Sequence, residues 1–332
     1  MVCGCWASIW RDWIDHRDLL EEIMKKTSWR SSLLLFLAAF IWGTAFVAQS
    51  VGMDYIEPFT FSCVRSIVGS LFLIPCICFL DRIKGEGSTN RQRTKNREEE
   101  AKKKKVLLQG GVCCGLILFV ASNLQQFGIK YTSVGKAGFI TALYIVLVPI
   151  LGIFIGKKIG LRMWISVFLA VVGLYLLCIT GGFSIGKGDF FVLLCACVFS
   201  FHILAVDYFS PKTDGVRMSC IQFLVCGVLS GIGMLIKEKP DIGAILQAWM
   251  PILYAGVLSS GVAYTLQIIS QKDLDPTVAS LIMCLESVVS VLAGWVLLGQ
   301  KLSTRELLGC GLMFAAIILA QLPAKGDMQK EI

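Results

Sequence analysis

The chain has 332 residues, of which 56% are hydrophobic and 16% charged. A soluble domain is about 45–50% apolar and about 25% charged, so this composition excludes an ordinary soluble enzyme, a disordered chain and a nucleic-acid-binding module. The formal net charge of +8 is unevenly spread: residues 81–105 carry ten Lys or Arg, while other long stretches carry almost none. An uncharged run of about 20 residues is what a helix needs to cross the hydrocarbon core. The pattern is that of an all-α, polytopic membrane protein.

In chain order, residues 1–29 form an N-terminal cytoplasmic or interfacial segment. Trp6, Trp10 and Trp13 fall near one helical face, interrupted by Arg11, Asp12, Asp15 and Arg17, as in a helix lying in the membrane interface. Met24-Lys25-Lys26 also reads as a start, with residues 1–23 as an upstream extension. No apolar run of signal-peptide length precedes residue 31, so none is expected to be cleaved. Ten transmembrane helices then follow at about 31–51, 58–80, 106–129, 133–155, 161–181, 189–208, 216–236, 249–270, 277–298 and 304–322. Pro58 and Pro276 open the second and ninth, at the helix position that tolerates proline. The basic loop 81–105 reads as a solvated, mobile tether, or as a contact with anionic membrane lipids worth about 1 kcal/mol per basic residue.

Charge sets the orientation. Alternate connections on one side collect 23 Lys or Arg and those on the other collect 7. Basic loops stay inside, so both termini are expected in the cytoplasm, with the protein integral to the cell (plasma) membrane. The 14 cysteines show neither metal-ligand spacing nor a secreted disulfide framework. Inside apolar runs they read as small hydrophobes. No catalytic residue, metal or cofactor is expected, and the charge is no sign of nucleic acid.

A shift of 143 residues lays Tyr131 to Ala137 on Leu274 to Ser280, Gly156-Lys157-Lys158-Ile159 on Gly299-Gln300-Lys301-Leu302, and Arg162 on Arg305. Few identities survive, but the order of loop, span, turn and span recurs without gaps. The reading is two five-helix repeats, 30–181 and 182–322, followed by a cytoplasmic tail, 323–332. An odd number of helices per repeat inserts the two with opposite orientation, the inverted arrangement of many carriers.

Several short motifs lie along this repeat: Trp42-Gly43-Thr44-Ala45-Phe46, Pro58 with Arg65, and Ala137-Gly138-Phe139-Ile140-Thr141 leading to Leu143-Tyr144 and Pro149. Others are Ala263-Tyr264-Thr265-Leu266-Gln267, Leu285-Glu286-Ser287, and Gly299-Gln300-Lys301-Leu302-Ser303 followed by Gly309. In order and spacing they resemble the drug/metabolite transporter superfamily, EamA type, over about residues 30–322. The resemblance implies a ten-helix carrier of two five-helix repeats, moving amino acids, nucleobases, other metabolites or toxic compounds, often outward. The chain departs from the family in two places. Lys157 and Gln300 stand where the family's turns usually carry an acid, and Ser287 stands where a proline often follows the glutamate. The missing proline implies a straighter ninth helix.

Glu286 is the foremost candidate. It lies ten residues past Pro276, about 15 Å deep and near the middle of a core about 30 Å thick. Ionisable groups at that depth usually face a cavity, a partner or a proton path. Glu286 could bind a substrate ammonium, act as a protonation switch, or serve as a structural acid. Arg65 could hold an anionic group, pair with Glu286 or snorkel. His202 could titrate or simply bond between helices. Asn123, Gln125, Gln126 and Gln267 could read a polar substrate or tie helices together. Trp42 and Tyr144 could stack on a substrate or only pack. Gly111 and Gly115, Gly152, Gly156 and Gly160, and Gly227 and Gly231 keep the four-residue spacing of close helix packing.

The function expected is a secondary transporter of small-molecule metabolites, exporting amino acids or related compounds around a mid-membrane site. Proton coupling through Glu286 and facilitated diffusion are both open, as is the oligomeric state. The absence of a phosphate-binding Gly-rich loop with Lys-Ser/Thr argues against ATP hydrolysis. The alternatives are a membrane-embedded enzyme on lipid-linked substrates, which would need a nucleophile with a base, and a non-transporting membrane assembly protein.

Overall fold

A computed structural model describes residues 29–85, 97–132, 134–157, 159–178, 186–298 and 303–321. The expectations for residues 1–28, for Gly299 to Leu302 and for the tail lie outside these residues. The described chain is helical, with no strand among the described residues. In order the helices are α1 (Trp29–Gly52), α2 (Pro58–Gly85), α3 (Arg97–Tyr131), α4 (Val134–Thr141), α5 (Tyr144–Phe154), α6 (Leu161–Cys178), α7 (Lys187–Phe209) and α8 (Gly215–Lys237). They continue with α9 (Ile242–Gln247), α10 (Trp249–Leu253), a π-helical segment (Tyr254–Ala263), α11 (Tyr264–Ser270), α12 (Pro276–Met283), α13 (Leu285–Leu298) and α14 (Thr304–Gln321).

Eight stretches are long and apolar enough to cross a membrane, and two shorter apolar helices, Leu161–Leu176 and Leu307–Ala320, stand where the fifth and tenth spans were expected. The α4–α5 pair makes the fourth crossing, α10 through α11 the eighth, and α12–α13 the ninth. Large apolar side chains such as Leu71, Phe168, Leu235 and Ile318 are exposed on the outer surface, as lipid contact requires.

Helix starts follow from capping. Asp214 accepts from the N–H groups of Val216 and Arg217, each at 3.1 Å, to open α8. Asp275 accepts from Thr277 N at 2.8 Å and, with Pro276 behind it, opens α12. The start of α2 is capped from a distance: Glu238, just past α8, accepts from the N–H groups of Phe59 and Thr60, each at 2.8 Å. Each such bond satisfies a donor that a helix N-terminus leaves orphaned.

Three expectations change. Lys102 to Lys105 are exposed but helical, because α3 begins at Arg97 rather than near 106. Glu98, Glu99 and Glu100 stand four residues before Lys102, Lys103 and Lys104, the spacing and order that favour helix. The ninth crossing is interrupted at Cys284 even without the proline. The Gly152–Gly160 series is no packing stripe, since nothing approaches a Cβ placed at Gly156 or Gly160. Gly156 instead ends α5 at φ +86°. Lys157 N–H reaches Gly152 O at 2.9 Å and Gly156 N–H reaches Ile153 O at 3.0 Å, the paired bonds of a glycine C-cap. Gly156→Val should therefore destabilise by about 1–2 kcal/mol, seen as a lower unfolding midpoint in detergent, while Gly160→Ala should leave the midpoint unchanged.

The other two glycine pairs do pack. A Cβ at Gly111 would meet Ile221 and one at Gly115 would meet Val225, both on α8, and those at Gly227 and Gly231 would meet Ile67 and Cys63 on α2. The closest-packed partners are α3 with α7, α2 with α8, and α6 with α14, with α3–α8 and α2 with the π segment next. Among the described residues α6, α8 and α14 contribute none to the lining of the central cavity.

Candidate functional site

The cavity lies where the interrupted crossings meet. Its open volume is about 50 Å³, lined by Trp42, Phe46 and Gln49 of α1, Arg65 of α2, Gln125 of α3, Thr141 and Tyr144 at the α4–α5 junction, and Phe199, His202 and Ile203 of α7. Ser259, Tyr264 and Gln267 of the eighth crossing, with Met283 and Glu286 of the ninth, complete it. Helix periodicity explains much of the list. Trp42, Phe46 and Gln49 are spaced i, i+4, i+7, and Phe199, His202 and Ile203 are i, i+3, i+4, each a single helix face.

Two backbone irregularities deliver the remaining groups. The fourth crossing breaks at Ala142 and Leu143 and the ninth at Cys284, so Tyr144 opens α5 and Glu286 lies in the first turn of α13. Tyr144 Oη donates to Glu286 Oε1 at 3.1 Å, joining the two junctions. In the eighth crossing the Tyr264 N–H bonds to Ser259 O, the i to i−5 bond of a π turn. Such turns are rare and cluster at functional sites. This one sets Ser259 and Tyr264 on one face, five residues apart.

The electrostatics are unusual for lipid depth. Glu286 is 6% exposed and Arg65 4%. Insertion scales put a charge at a helix centre at about 2.5–3.5 kcal/mol. Arg65 does not snorkel: Nη1 donates to Gln49 Oε1 at 3.2 Å, the guanidinium lies 5.8 Å from the Phe61 ring, and Nε has no partner among the described residues. Nor does it pair with Glu286. Among the described residues neither group has an opposite charge within 4.0 Å.

An aromatic cluster contributes Trp42, His202 and Tyr264 to the same lining. Tyr264 packs edge-on to Trp42 at 4.8 Å, to Phe223 at 5.1 Å and to His202 at 6.0 Å. His202 Nε2 is 3.2 Å from Gln222 Oε1, and its Nδ1 has no partner among the described residues. The Trp42 indole N–H and Gln267 Oε1 are likewise buried without partners among the described residues. Gln125 reaches Thr141 Oγ1 at 3.4 Å.

Seven of the nine candidates read from sequence line this cavity: Glu286, Arg65, His202, Trp42, Tyr144, Gln125 and Gln267. Asn123 and Gln126 do not. Asn123 Nδ2 donates to Phe119 O at 2.8 Å and to Ser230 Oγ at 2.9 Å, tying α3 to α8. Gln126 Nε2 donates to Gln49 O at 3.3 Å, tying α3 to α1. Asn123→Leu should thus lower stability by about 1 kcal/mol and leave the substrate affinity of the folded protein unchanged, as a melting curve and a transport assay would show. The other eight lining residues, Phe46, Gln49, Thr141, Phe199, Ile203, Ser259, Tyr264 and Met283, were not among the candidates.

Comparison with known proteins now bears on this arrangement. The model of the EamA-like transporter family matches the chain twice, at residues 29–179 and 186–322. This chain belongs to the EamA-like transporter family. As an EamA-like protein it is a membrane transporter. It is 28% identical over 294 residues to an uncharacterised transporter of Archaeoglobus fulgidus, covering 88% of this chain and 86% of that one. The inner membrane transporter YedA of Escherichia coli is 21% identical over 294 residues, covering 87% and 89%. The WAT1-related chloroplastic protein At3g02690 of Arabidopsis thaliana is 24% identical over 305 residues, covering 87% and 68%. A chain of known crystal structure shares the EamA-like fold with a TM-score of 0.69 at 19% identity, over 89% of this chain and 99% of its own.

Proposed function

We propose that this protein is a secondary carrier that exports small metabolites, such as amino acids or related compounds, by alternating access around the central cavity. It works in the plasma membrane with both termini in the cytoplasm, its halves forming inverted five-helix repeats. The observation that carries the reading is a cavity at the meeting of two interrupted crossings, lined by a buried carboxylate and a buried guanidinium, neither of which meets an opposite charge within 4.0 Å among the described residues. Interrupted helices in corresponding places of two halves mark the binding site of such carriers.

The packing supports a two-fold repeat. Exchanging first with sixth, second with seventh and so on through the ten crossings leaves the α2–α8 and α6–α14 pairs unchanged. The same exchange carries α3–α8 onto the pair of α2 with the π segment. The charge bias of the loops supports cytoplasmic termini. Outward transport rests on the family resemblance, and Glu286 is the group through which a proton could be coupled.

Reporters fused after residues 160 and 300 test the topology, with opposite faces expected and a shared face fatal to the inverted repeat. Purified protein in liposomes tests the activity: a solute should cross only when protein is present. A metabolite whose level outside cells rises with expression and falls on deletion would establish export.

A further inference from the structure

We propose that the outer face of α3 binds one anionic phospholipid, its headgroup held by Lys102 and Lys105 and one acyl chain lying in the furrow beside them. Leu108, Val112 and Leu116 form one ridge along α3, and Gln109, Cys113 and Ile117 form a second next to it. Each ridge follows the i, i+4 row of a helix surface, and the groove between two such rows normally receives side chains of a neighbouring helix. Among the described residues this furrow is lined by α3 alone. The packing face of α3 is the opposite one: Gly110 lies against Phe209 of α7, while Gly111 and Gly115 lie against Ile221 and Val225 of α8. Leu108 and Leu116 are 58% and 49% exposed, and in a membrane that face looks onto lipid.

The lysines decide what the furrow takes. At about 100° per residue, Lys102 and Lys105 project on the furrow's side of α3, and Lys103 and Lys104 to its two flanks. None of these lysines has an opposite charge within 4.0 Å among the described residues. Lys105 is also the last charge before an uncharged run, residues 106–129, so its ammonium stands where the hydrocarbon ends and lipid phosphates begin. The acidic triplet Glu98 to Glu100 stands farther from that run, and the residue four before Lys105 is Ala101. From Leu108 to Ile117 the furrow is about 14 Å long at about 1.5 Å per residue. That is close to the depth of one leaflet, about 15 Å in a core about 30 Å thick. A lipid of that leaflet meets charge and apolar surface in register, its anionic head at the lysines and its chain in the furrow. A zwitterionic lipid would leave the lysines uncompensated. A second copy docked through the same face would bring two lysine runs together.

The test uses the full-length protein in detergent micelles with phosphatidylglycerol that carries a photoreactive diazirine in one acyl chain. Illumination should label α3 between residues 108 and 117, as peptide mass spectrometry would map. Unlabelled phosphatidylglycerol should suppress that labelling at a concentration at least tenfold lower than phosphatidylcholine requires. Glycerophosphoglycerol, the same headgroup without chains, should not suppress it. Lys102→Gln with Lys105→Gln should bring the two lipids within threefold of each other. Lys103→Gln with Lys104→Gln removes the same charge from the flanks and should keep the preference. Leu116→Trp, which lays a ring across the furrow, should reduce the labelling at least fivefold. Labelling spread evenly over the outer helices, or equal suppression by the two lipids, overturns the proposal on the wild type, with no variant required to fold. So does an equal loss of preference in both lysine pairs, or a furrow cross-linked to residues 1–28 or to a second copy. None of these outcomes bears on the carrier's cargo or direction.

Discussion

Glu286→Gln should reduce transport at least a hundredfold and leave the protein as stable as the wild type or more so. The two effects separate because the amide keeps the shape and loses the charge. Tyr144 Oη can still donate to Oε1, as it does at 3.1 Å in the native site, so the link between the two interrupted crossings survives. What disappears is the acceptor for a cationic partner. A hundredfold corresponds to about 2.8 kcal/mol, at 1.4 kcal/mol per tenfold. Buried unpaired charge is itself destabilising, so removing it does not weaken the fold. Initial rates in liposomes and the unfolding midpoint in detergent check the pair of expectations. A variant that melts well below the wild type would show Glu286 to be structural.

Gly43→Val should fail differently, losing stability and activity together. A Cβ at Gly43 would stand 2.5 Å from the carbonyl oxygen of Glu286 and 2.6 Å from Val289 Cβ. Neither can yield as the tip of a flexible side chain would. The oxygen is α13 backbone and the carbon is fixed to it, so α1 as a whole has to move off the ninth crossing. Overpacking of this kind costs about 1–3 kcal/mol and occasionally more. Any gain in helix propensity over glycine is below about 1 kcal/mol. The expected result is a strong loss of folded protein on size exclusion and no measurable transport. Gly138→Ala is the control. Its Cβ would find only Ser287 Oγ, at 3.7 Å, and the variant should behave as wild type. Equal tolerance at both positions would show that α1 can shift freely against the ninth crossing.

The membrane-crossing pattern was legible because it depends on composition alone. Each expected span coincides with an apolar helix or a run of successive helical segments. Arg65, His202 and Glu286 were visible because an ionisable side chain deep in an apolar run stands out. Gln49 was passed over because it falls near the end of its span, where polar residues are ordinary. The helical period from Trp42 through Phe46 would have found it. Ser259 and Tyr264 were hidden for a deeper reason: the α period puts residues five apart on different faces, and only the π turn brings these together. No residue pattern announced that turn, nor the break at Cys284 where a proline was missing. Asn123 and Gln126 illustrate the converse error. Their amide chemistry qualified them, but their neighbours on α8 and α1 engage their amide nitrogens.

The edge-on contact of Trp42 with Tyr264, beside an indole N–H without a partner among the described residues, has an optical consequence. Of the eight tryptophans in the chain, Trp42 is the one among the described residues that lines the cavity. An arriving solute changes the polarity at that ring and can take up its N–H, so its emission colour should shift on filling. With the other seven replaced by phenylalanine, the protein carries its own lamp. Occupancy could then be read by fluorescence in real time, without a label on either the carrier or the solute.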